Sequence, residues 1–394
     1  MSVFDLRNHL TPHRVTNAMW DSSWLFNGHP GGAFADLDRV TDELVERGFN
    51  TIRIDAFPLL VARLAEPDGE VLFPAQPLGT WGHSTVEQRH RPLPELIRLL
   101  RLCQNKGVHV ILSTWNGSVD SLPATGEDGV AELTRGWEIV LDRLAAEDLF
   151  DQILYVDFDQ EYPYFSPTKA RLDALGAAPS ASIGNAAEAM EAAGRRERQR
   201  GLWWNEAQLD FVGSYVRTLV GHFQERHPGL RYTISLTGFW KEFRLLGLDQ
   251  LEVLELHFWL HGSRFDNRSG FYRDLTKDRS AGDRSFYQRR IDQSFRIMRG
   301  HFLAEMHNRL DYARAWGREA AAPVITTEAW GPWWHMDHQG LDWGWLREWC
   351  CECNLLAADY GLWGSTPWNY SHPYFANWSD VAWYRAVNGA FLAR

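Results

Sequence analysis

The chain has 394 residues, of which 45% are hydrophobic and 23% charged, enough apolar material for one large α/β domain or two medium ones. A net charge of −11 supplies no basic surface for a phosphate backbone, so no nucleic-acid partner is expected. The 20 tryptophans exceed what packing alone needs.

In chain order, strand-like and helical segments alternate throughout, a pattern that favours parallel strands joined by crossover helices. A first strand at 15–20 is followed by a helix at about 33–47. Its Leu37, Val40, Leu44 and Val45 fit a 3.6-residue period, and Gly48 is its C-cap. Strand two is 51–55. Pro94 opens the next helix where a missing N–H is harmless, Gly107 ends it, and strand three is 108–112. A helix at 130–146 leads to the run Ile153-Leu154-Tyr155-Val156-Asp157-Phe158-Asp159-Gln160-Glu161, read as strand four. Further on come a helix at 204–226, strand five at 232–236, strand six at 251–259 and a long helix at 286–317. Strand seven at 323–328 ends on Glu328, a helix covers 341–360, strand eight is 361–368, and a last helix lies near 380–392.

Eight such units closing on themselves make a (β/α)8 TIM barrel, with the functional face at the carboxyl ends of the strands. Residues 1–394 read as a single barrel domain, with insertions at 56–93, 162–203 and 261–285, each following a strand and therefore decorating that face. No repeat, linker or composition break marks a second domain. Within the second insertion, Arg195-Arg196-Glu197-Arg198-Gln199-Arg200 is a solvated helix end or a patch for acidic substrate.

The start of the chain has no basic segment, apolar stretch and small-residue cleavage site in series, and no run approaches roughly 18 apolar residues, so the reading is a cytoplasmic protein with no membrane partner. Cys103 and the trio Cys350, Cys351 and Cys353 do not form a disulfide framework, and reduced, packed thiols are expected. His335-Met336-Asp337-His338 lacks a complementary ligand cluster, so no metal and no cofactor is expected, and these residues read as a polar loop. The oligomeric state is open, a homo-oligomer included.

Glu161 and Glu328 each close a strand-like run. Breaking a glycosidic bond needs one carboxylic acid to protonate the leaving oxygen and one carboxylate to meet the anomeric carbon, about 5 to 5.5 Å apart in retaining enzymes. Strands four and seven point their ends across one cavity and can place the pair so. Strand alternation turns Asp157 and Asp159 to the same side as Glu161, which makes one of them a neighbour that tunes its proton, with Asp159 a rival for the acid. Trp20-Asp21 and Trp24 after strand one, and Trp115-Asn116 after strand three, are candidate walls and hydroxyl partners. At least one of Trp330, Trp333 and Trp334 is expected to line the cleft, since three tryptophans in one loop are hard to bury together.

With these residues in place, the chain resembles the clan A glycoside hydrolases, the cellulase-like and β-galactosidase-like (β/α)8 enzymes. The resemblance runs over most of the barrel. Those enzymes end strand four with Asn-Glu, the Glu being acid/base, and strand seven with a nucleophilic Glu; Gln160-Glu161 and Glu328-Ala329-Trp330-Gly331 stand in the matching places. Gln for Asn is a departure, because that amide usually bonds the sugar 2-hydroxyl. The resemblance implies that Arg53 hydrogen-bonds Glu328, that His257 of His257-Phe258-Trp259 lies near the nucleophile or substrate, and that Trp368 floors the cleaved-sugar subsite, with Trp363 the rival. It also implies a carbohydrate partner. The expected activity is retaining hydrolysis of small oligosaccharides or glycosides, acting from the chain end. The alternatives are a sugar-binding or degenerate barrel and a transglycosidase.

Overall fold

The structure is a computed structural model that describes residues 10–75, 84–115, 126–176, 202–260, 263–271, 285–332, 341–369 and 371–394. Eight parallel strands carry the fold: β1 (Val15–Asp21), β2 (Thr51–Asp55), β3 (His109–Ser113), β4 (Ile153–Asp157), β5 (Tyr232–Thr233), β6 (Leu254–Glu255), β7 (Val324–Ile325) and β8 (Gly364–Ser365). They lie side by side in the order β5-β4-β3-β2-β1-β8-β7-β6. A parallel bridge between Leu236 and Leu256 joins the two edges, so the sheet closes into the expected (β/α)8 barrel. Around it run α1 (Leu37–Glu46), α2 (Pro92–Lys106), α3 (Gly126–Ala146), α4 (Glu206–Arg226), α5 (Trp240–Leu246), α6 (Gln288–Glu319), α7 (Gly344–Asp359) and α8 (Val381–Leu392). Among the described residues no helix is long and apolar enough to cross a membrane.

The helix ends follow local chemistry. The Asp36 side chain accepts from the Arg39 N–H at 3.1 Å, so α1 starts at Leu37 rather than near residue 33. In α2 the first position is Pro92, and Pro94 also falls among the N–H groups that a helix start leaves unpaired. Gly107 caps that helix at φ 66°, a left-handed value that costs glycine little. Asn205 and Gln208 form a reciprocal capping box that sets the start of α4. The short α5 was not apparent in the sequence, although Gly247 at φ 57° ends it as a C-cap glycine does.

Strands β5 to β8 are shorter than their apolar runs, because side chains take over the backbone groups near the carboxyl ends. The Ser235 N–H donates to Asp157 Oδ1 at 2.9 Å, the Glu161 N–H to Ser235 Oγ at 3.0 Å, and Thr326 Oγ1 to the Glu328 carbonyl at 3.0 Å. For the same reason β4 stops at Asp157, and Glu161 lies beyond it with φ 50°, a left-handed conformation that costs a non-glycine residue about 1–3 kcal/mol.

The three expected insertions contain further elements: a helix at Pro58–Arg63 with a hairpin of Val71–Phe73 and Gln88–His90, a helix at Lys169–Gly176, and a helix at Ser263–Ser269. Cys103, Cys350 and Cys353 are buried, Cys351 is partly so, and all four thiols are free.

Alternation along the strands divides the core in two. Ile52, Ile54, Val110, Leu112, Val156 and Phe158 face outward onto the helices. Val15, Ile111, Tyr155, Val253, Ile325 and Trp363 face inward and plug the floor of the barrel, with Leu10 below them. Above that floor the inward positions become polar, and the site begins there. On the outside, the helix at Pro58–Arg63 meets α3 so closely that a Cβ on Gly136 would lie 2.1 Å from the Pro58 carbonyl oxygen. Gly136→Ala is therefore expected to destabilise the protein by about 1–3 kcal/mol despite alanine's better helix propensity. Urea unfolding followed by circular dichroism checks this, and an unchanged midpoint would mean that the two helices part without cost.

Candidate active site

Arg53 projects inward from the middle of β2, wholly buried, and five side chains converge on its guanidinium, the His257 ring among them with Nε2 3.4 Å from Nη1. Asp21 Oδ1 accepts from Nε at 3.0 Å and from Nη2 at 2.7 Å, and Thr327 Oγ1 accepts from Nη1 at 2.7 Å. Glu255 Oε1 lies 3.4 Å from Nη1, and Nη2 also donates to Glu328 Oε1. Asp21, at the end of β1 with φ 42°, thus has Oδ1 held by Arg53. Burial pushes the Asp21 carboxyl up, against the pull of Arg53. Burial alone would lower the Arg53 guanidinium, yet Asp21, Glu328 and Glu255 together raise it well above its ordinary value, so it is a permanent cation.

Glu328 has no exposed surface. Its Oε1 accepts from both Arg53 and the Gln160 amide, while Oε2 has no hydrogen-bond partner among the described residues. Gln160 is itself aimed by Ser113 Oγ, 3.2 Å from its Oε1. Glu161 stands nearer the opening, with 13% of its side chain exposed. Its Oε1 meets His257 Nδ1 at 2.9 Å and accepts from Trp259 Nε1 at 3.3 Å. His257 Nδ1 is also 3.5 Å from Glu328 Oε2, so the imidazole sits between the two carboxyls. One ligand-type atom each from Glu161, His257 and Glu328 lies within 4.8 Å of the others, so β4 and β7 do bring their glutamates together.

Arg309 of α6 holds the loop after β6 in place, donating to the carbonyls of His257 at 2.8 Å and Trp259 at 2.9 Å. Below the pair, Asp157 is bonded by Ser113 Oγ at 2.8 Å and by the Ser235 N–H, and burial followed by the charge of Glu255 pushes it up to about 7.

The titration of the cluster follows from burial and from its cations. Burial pushes Glu328 up to about 8, against His257 and Arg53, with the charge of Glu161 adding to the rise. Burial would raise Glu161 too, but its bond with His257, the imidazolium charge and the Trp259 indole bring it below the usual carboxylate range. Burial would lower His257, yet Glu328, Glu161 and Glu255 hold it up to about 10, so the ring is an imidazolium at neutral pH. Two cations, Arg53 and His257, therefore face four carboxyls, Asp21, Glu255, Glu161 and Glu328. The Glu161–Glu328 pair titrates as a unit and keeps one proton through neutral pH. These three side chains are also the one grouping of possible metal ligands found among the described residues.

The other sequence candidates divide into two groups. The Trp115 N–H donates to Asp55 Oδ2 at 3.0 Å and its indole supports the charge of Asp21, which places it at the edge of the site. Trp20 does not reach the site. It points to the helix side of β1, edge-on to Phe34 at 5.1 Å, because Asp21 takes the inward direction. Trp330 is wholly buried behind the end of β7, with its indole N–H on the Thr366 carbonyl at 2.9 Å and its ring on Phe258. Trp368 is 2% exposed and edge-on to Trp383 at 5.7 Å, while Trp363 belongs to the floor of the barrel.

Asp159 is no rival for the acid: its carboxylate accepts from Tyr215 of α4 at 3.1 Å, on the helix side, because the chain leaves the extended conformation after Asp157. Asn116, Trp333, Trp334, the 335–338 histidine loop and the 195–200 arginine run lie outside the described residues. The sequence reading offered Asp157 as a neighbour of the acid but missed Glu255, Thr327, Ser113 and Ser235 as parts of the same network. For Glu255 a signal existed, since a carboxylate inside Val253-Leu254-Glu255-Leu256, two residues before His257, has to face the same interior.

Comparison with known proteins agrees with this architecture. A family model described as "Sugar-binding cellulase-like" matches residues 17–391. No curated protein matches the sequence. A putative glycoside hydrolase from Parabacteroides distasonis ATCC 8503 is 25% identical, with a TM-score of 0.75 over 96% of this chain and 93% of its own. A hyperthermophilic endo-beta-1,4-glucanase solved in complex with substrate has 12% identity and a TM-score of 0.51 over 100% of both chains, a likeness of fold alone. By the extent of the family match, residues 17–391, the chain belongs to the cellulase-like family.

Proposed function

We propose that this protein is a retaining glycoside hydrolase acting on small oligosaccharides or glycosides, with Glu328 as nucleophile and Glu161 as acid/base. The observation that carries this reading is the placement of two strand-end carboxyls within 4.8 Å of each other on either side of His257. That spacing agrees with the roughly 5–5.5 Å of double displacement and leaves no room for the water that inversion needs between the groups. The carboxyls also differ as the two roles require. Glu328 keeps Oε1 on Arg53 and Gln160, and its Oε2 is left to attack the anomeric carbon. Glu161, at the mouth, gives its proton to the leaving oxygen as the C–O bond breaks. It then takes a proton from the water that displaces the sugar from Glu328.

In the empty site the shared proton is drawn to Glu328 by burial, and the productive form is the tautomer with that proton on Glu161. Both forms carry the same total charge, so a sugar whose leaving oxygen bonds to Glu161 selects the productive one without a proton from solvent. A barrel that bound sugar without turnover would have no use for the two buried cations aimed at these carboxyls, since each buried charge costs several kcal/mol to desolvate. Action from the chain end is supported by the length of the segments that follow β2, β4 and β6 in the sequence. Trp259 and Trp368 are the aromatic candidates for the cleaved-sugar subsite.

Three outcomes test the reading. Against a panel of aryl glycosides, Glu161→Gln and Glu328→Gln are each expected to lose about 10²–10⁴-fold in kcat with unchanged circular dichroism, and turnover that persists in Glu328→Gln would sink the assignment. Proton NMR of the first-formed product should show the anomeric configuration of the substrate, and an inverted product would rule out double displacement. The dependence of kcat/KM on pH follows from the one-proton state of the pair. That state exists from below the usual carboxylate range, where the pair gains a second proton at Glu161, up to about 8, where the last proton leaves. The profile should be a broad plateau that falls as pH rises through about 8, and an alkaline limb at pH 6 or lower would contradict a shared proton.

A further inference from the structure

The segment after β6 is held differently on its two sides. Toward β7 it keeps a strand-like ladder: the Phe258 N–H donates to the Glu328 carbonyl at 3.0 Å and the Leu260 N–H to the Gly331 carbonyl at 2.9 Å. Toward β5 the ladder ends early. The Leu236 N–H donates to the Glu255 carbonyl at 3.0 Å and the His257 N–H to the Leu236 carbonyl at 2.9 Å, which is the register of a parallel pair centred on Leu236 and Leu256. Continued in that register, the N–H groups of Gly238 and Trp240 would take the carbonyls of His257 and Trp259. The chain turns away instead, as Phe239 adopts φ 56° and starts α5. One guanidinium replaces both donors: Arg309, from α6, gives Nη2 to the His257 carbonyl at 2.8 Å and Nη1 to the Trp259 carbonyl at 2.9 Å.

The guanidinium carbon lies over the rings of Trp240 at 4.9 Å and Phe258 at 5.2 Å, so aromatic faces, rather than an ion pair among the described residues, support its charge. Burial brings Arg309 down to about 10, with Glu305 pulling it back up, and it remains a cation at neutral pH. The two residues it clasps carry both side chains that bond the Glu161 carboxyl: His257 Nδ1 lies 2.9 Å from Oε1, and Trp259 Nε1 donates to the same oxygen at 3.3 Å. A shift of either backbone carbonyl would swing a ring that aims Glu161, and a displacement of about 1 Å at a reacting group costs on the order of 10²-fold in rate. On the helix side, a groove of about 370 Å³ between α5 and α6, lined by Trp240, Tyr312 and Arg309 itself, opens to solvent.

We infer that Arg309 is a positioning residue for the acid/base: by standing in for the missing end of β5 it fixes His257 and Trp259, and through them the direction in which Glu161 presents its proton. The inference rests on the hydrolase reading above. Its test uses substrates that differ in their need for that proton, since 2,4-dinitrophenolate leaves unaided whereas phenolate leaves well only when protonated. With the full chain, kcat/KM is measured on the panel of aryl glycosides above, each sugar as its 2,4-dinitrophenyl and its phenyl derivative. In Arg309→Ala the phenyl value should fall about 10–100-fold and the dinitrophenyl value less than about threefold. Guanidinium chloride at about 50 mM, far below denaturing concentrations, should enter through the groove and restore most of the phenyl activity, and sodium chloride at the same concentration should not. Arg309→Lys keeps the charge but not the fork that spans two carbonyls, so it should show a smaller loss with the same selectivity, and it carries the comparison if the alanine variant does not fold. A merely structural role would lower both substrates alike. A phenyl to dinitrophenyl ratio unchanged in both variants, or one that guanidinium leaves unrestored in Arg309→Ala, overturns the positioning role and leaves the hydrolase reading standing. A wild type inactive across the panel overturns the hydrolase reading and this inference with it.

Discussion

A single buried guanidinium holds together the interior of this barrel. Arg53 pairs with Asp21 from β1, Glu255 from β6 and Glu328 from the end of β7, so one cation links strands on opposite sides of the closed sheet. Each carboxylate would cost several kcal/mol to bury alone, and the cation becomes tolerable only because all three surround it. The arrangement is therefore cooperative: no member can be removed without leaving a buried charge unpaired. It also explains why Arg53 lies on a long regular strand. In β2 every residue from Thr51 to Asp55 pairs with β3, which fixes the backbone from which the guanidinium reaches.

The same constraint orders the barrel vertically. Apolar residues fill the floor, hydroxyl groups and Asp157 occupy the layer above, and the charged groups lie at the carboxyl ends. Bonding between strands thins out in the same direction, because Ser235, Thr326 and Asp157 satisfy backbone groups that a longer ladder would have used. Asp21, which pairs with Ile54 after a register shift in β1, and Glu161, beyond the end of β4, both adopt left-handed backbone conformations that turn their carboxyls toward the cavity. The strain of those two residues is offset by the bonds their side chains make to Arg53 and His257.

This layering accounts for what the sequence did and did not disclose. Strand β2 and helix α2 were legible because their signals are local: an unbroken apolar alternation in one, and prolines at the start with glycine at the end in the other. Glu161 and Glu328 could be named because each ends such a run, whereas Arg53, Gln160 and His257 were named through the resemblance to clan A enzymes. The residues that failed were judged by type without direction. Trp20 and Trp330 carry the aromatic rings a sugar site uses, yet alternation and the turn after Glu328 send both into packing. Asp159 fails for the converse reason, since a strand that ended four residues early reversed the face predicted for it.

Gln160 is the point at which this chain departs from the Asn-Glu pattern of its relatives, and its surroundings give the longer amide a definite task. Its N–H group is spent on Glu328 Oε1, the oxygen that Arg53 also holds, and its carbonyl is fixed by Ser113 from β3. Two donors on one oxygen lock the Glu328 carboxyl in a single orientation and leave Oε2 facing His257. In the proposed reaction that orientation matters more than an extra contact to the sugar 2-hydroxyl, because a carboxylate free to rotate would present its attacking oxygen only part of the time. In that reaction an amide that serves the nucleophile has less to offer the sugar, while among the described residues His257 and Trp259 of the β6 end stay beside Glu161, on a backbone whose carbonyls Arg309 holds.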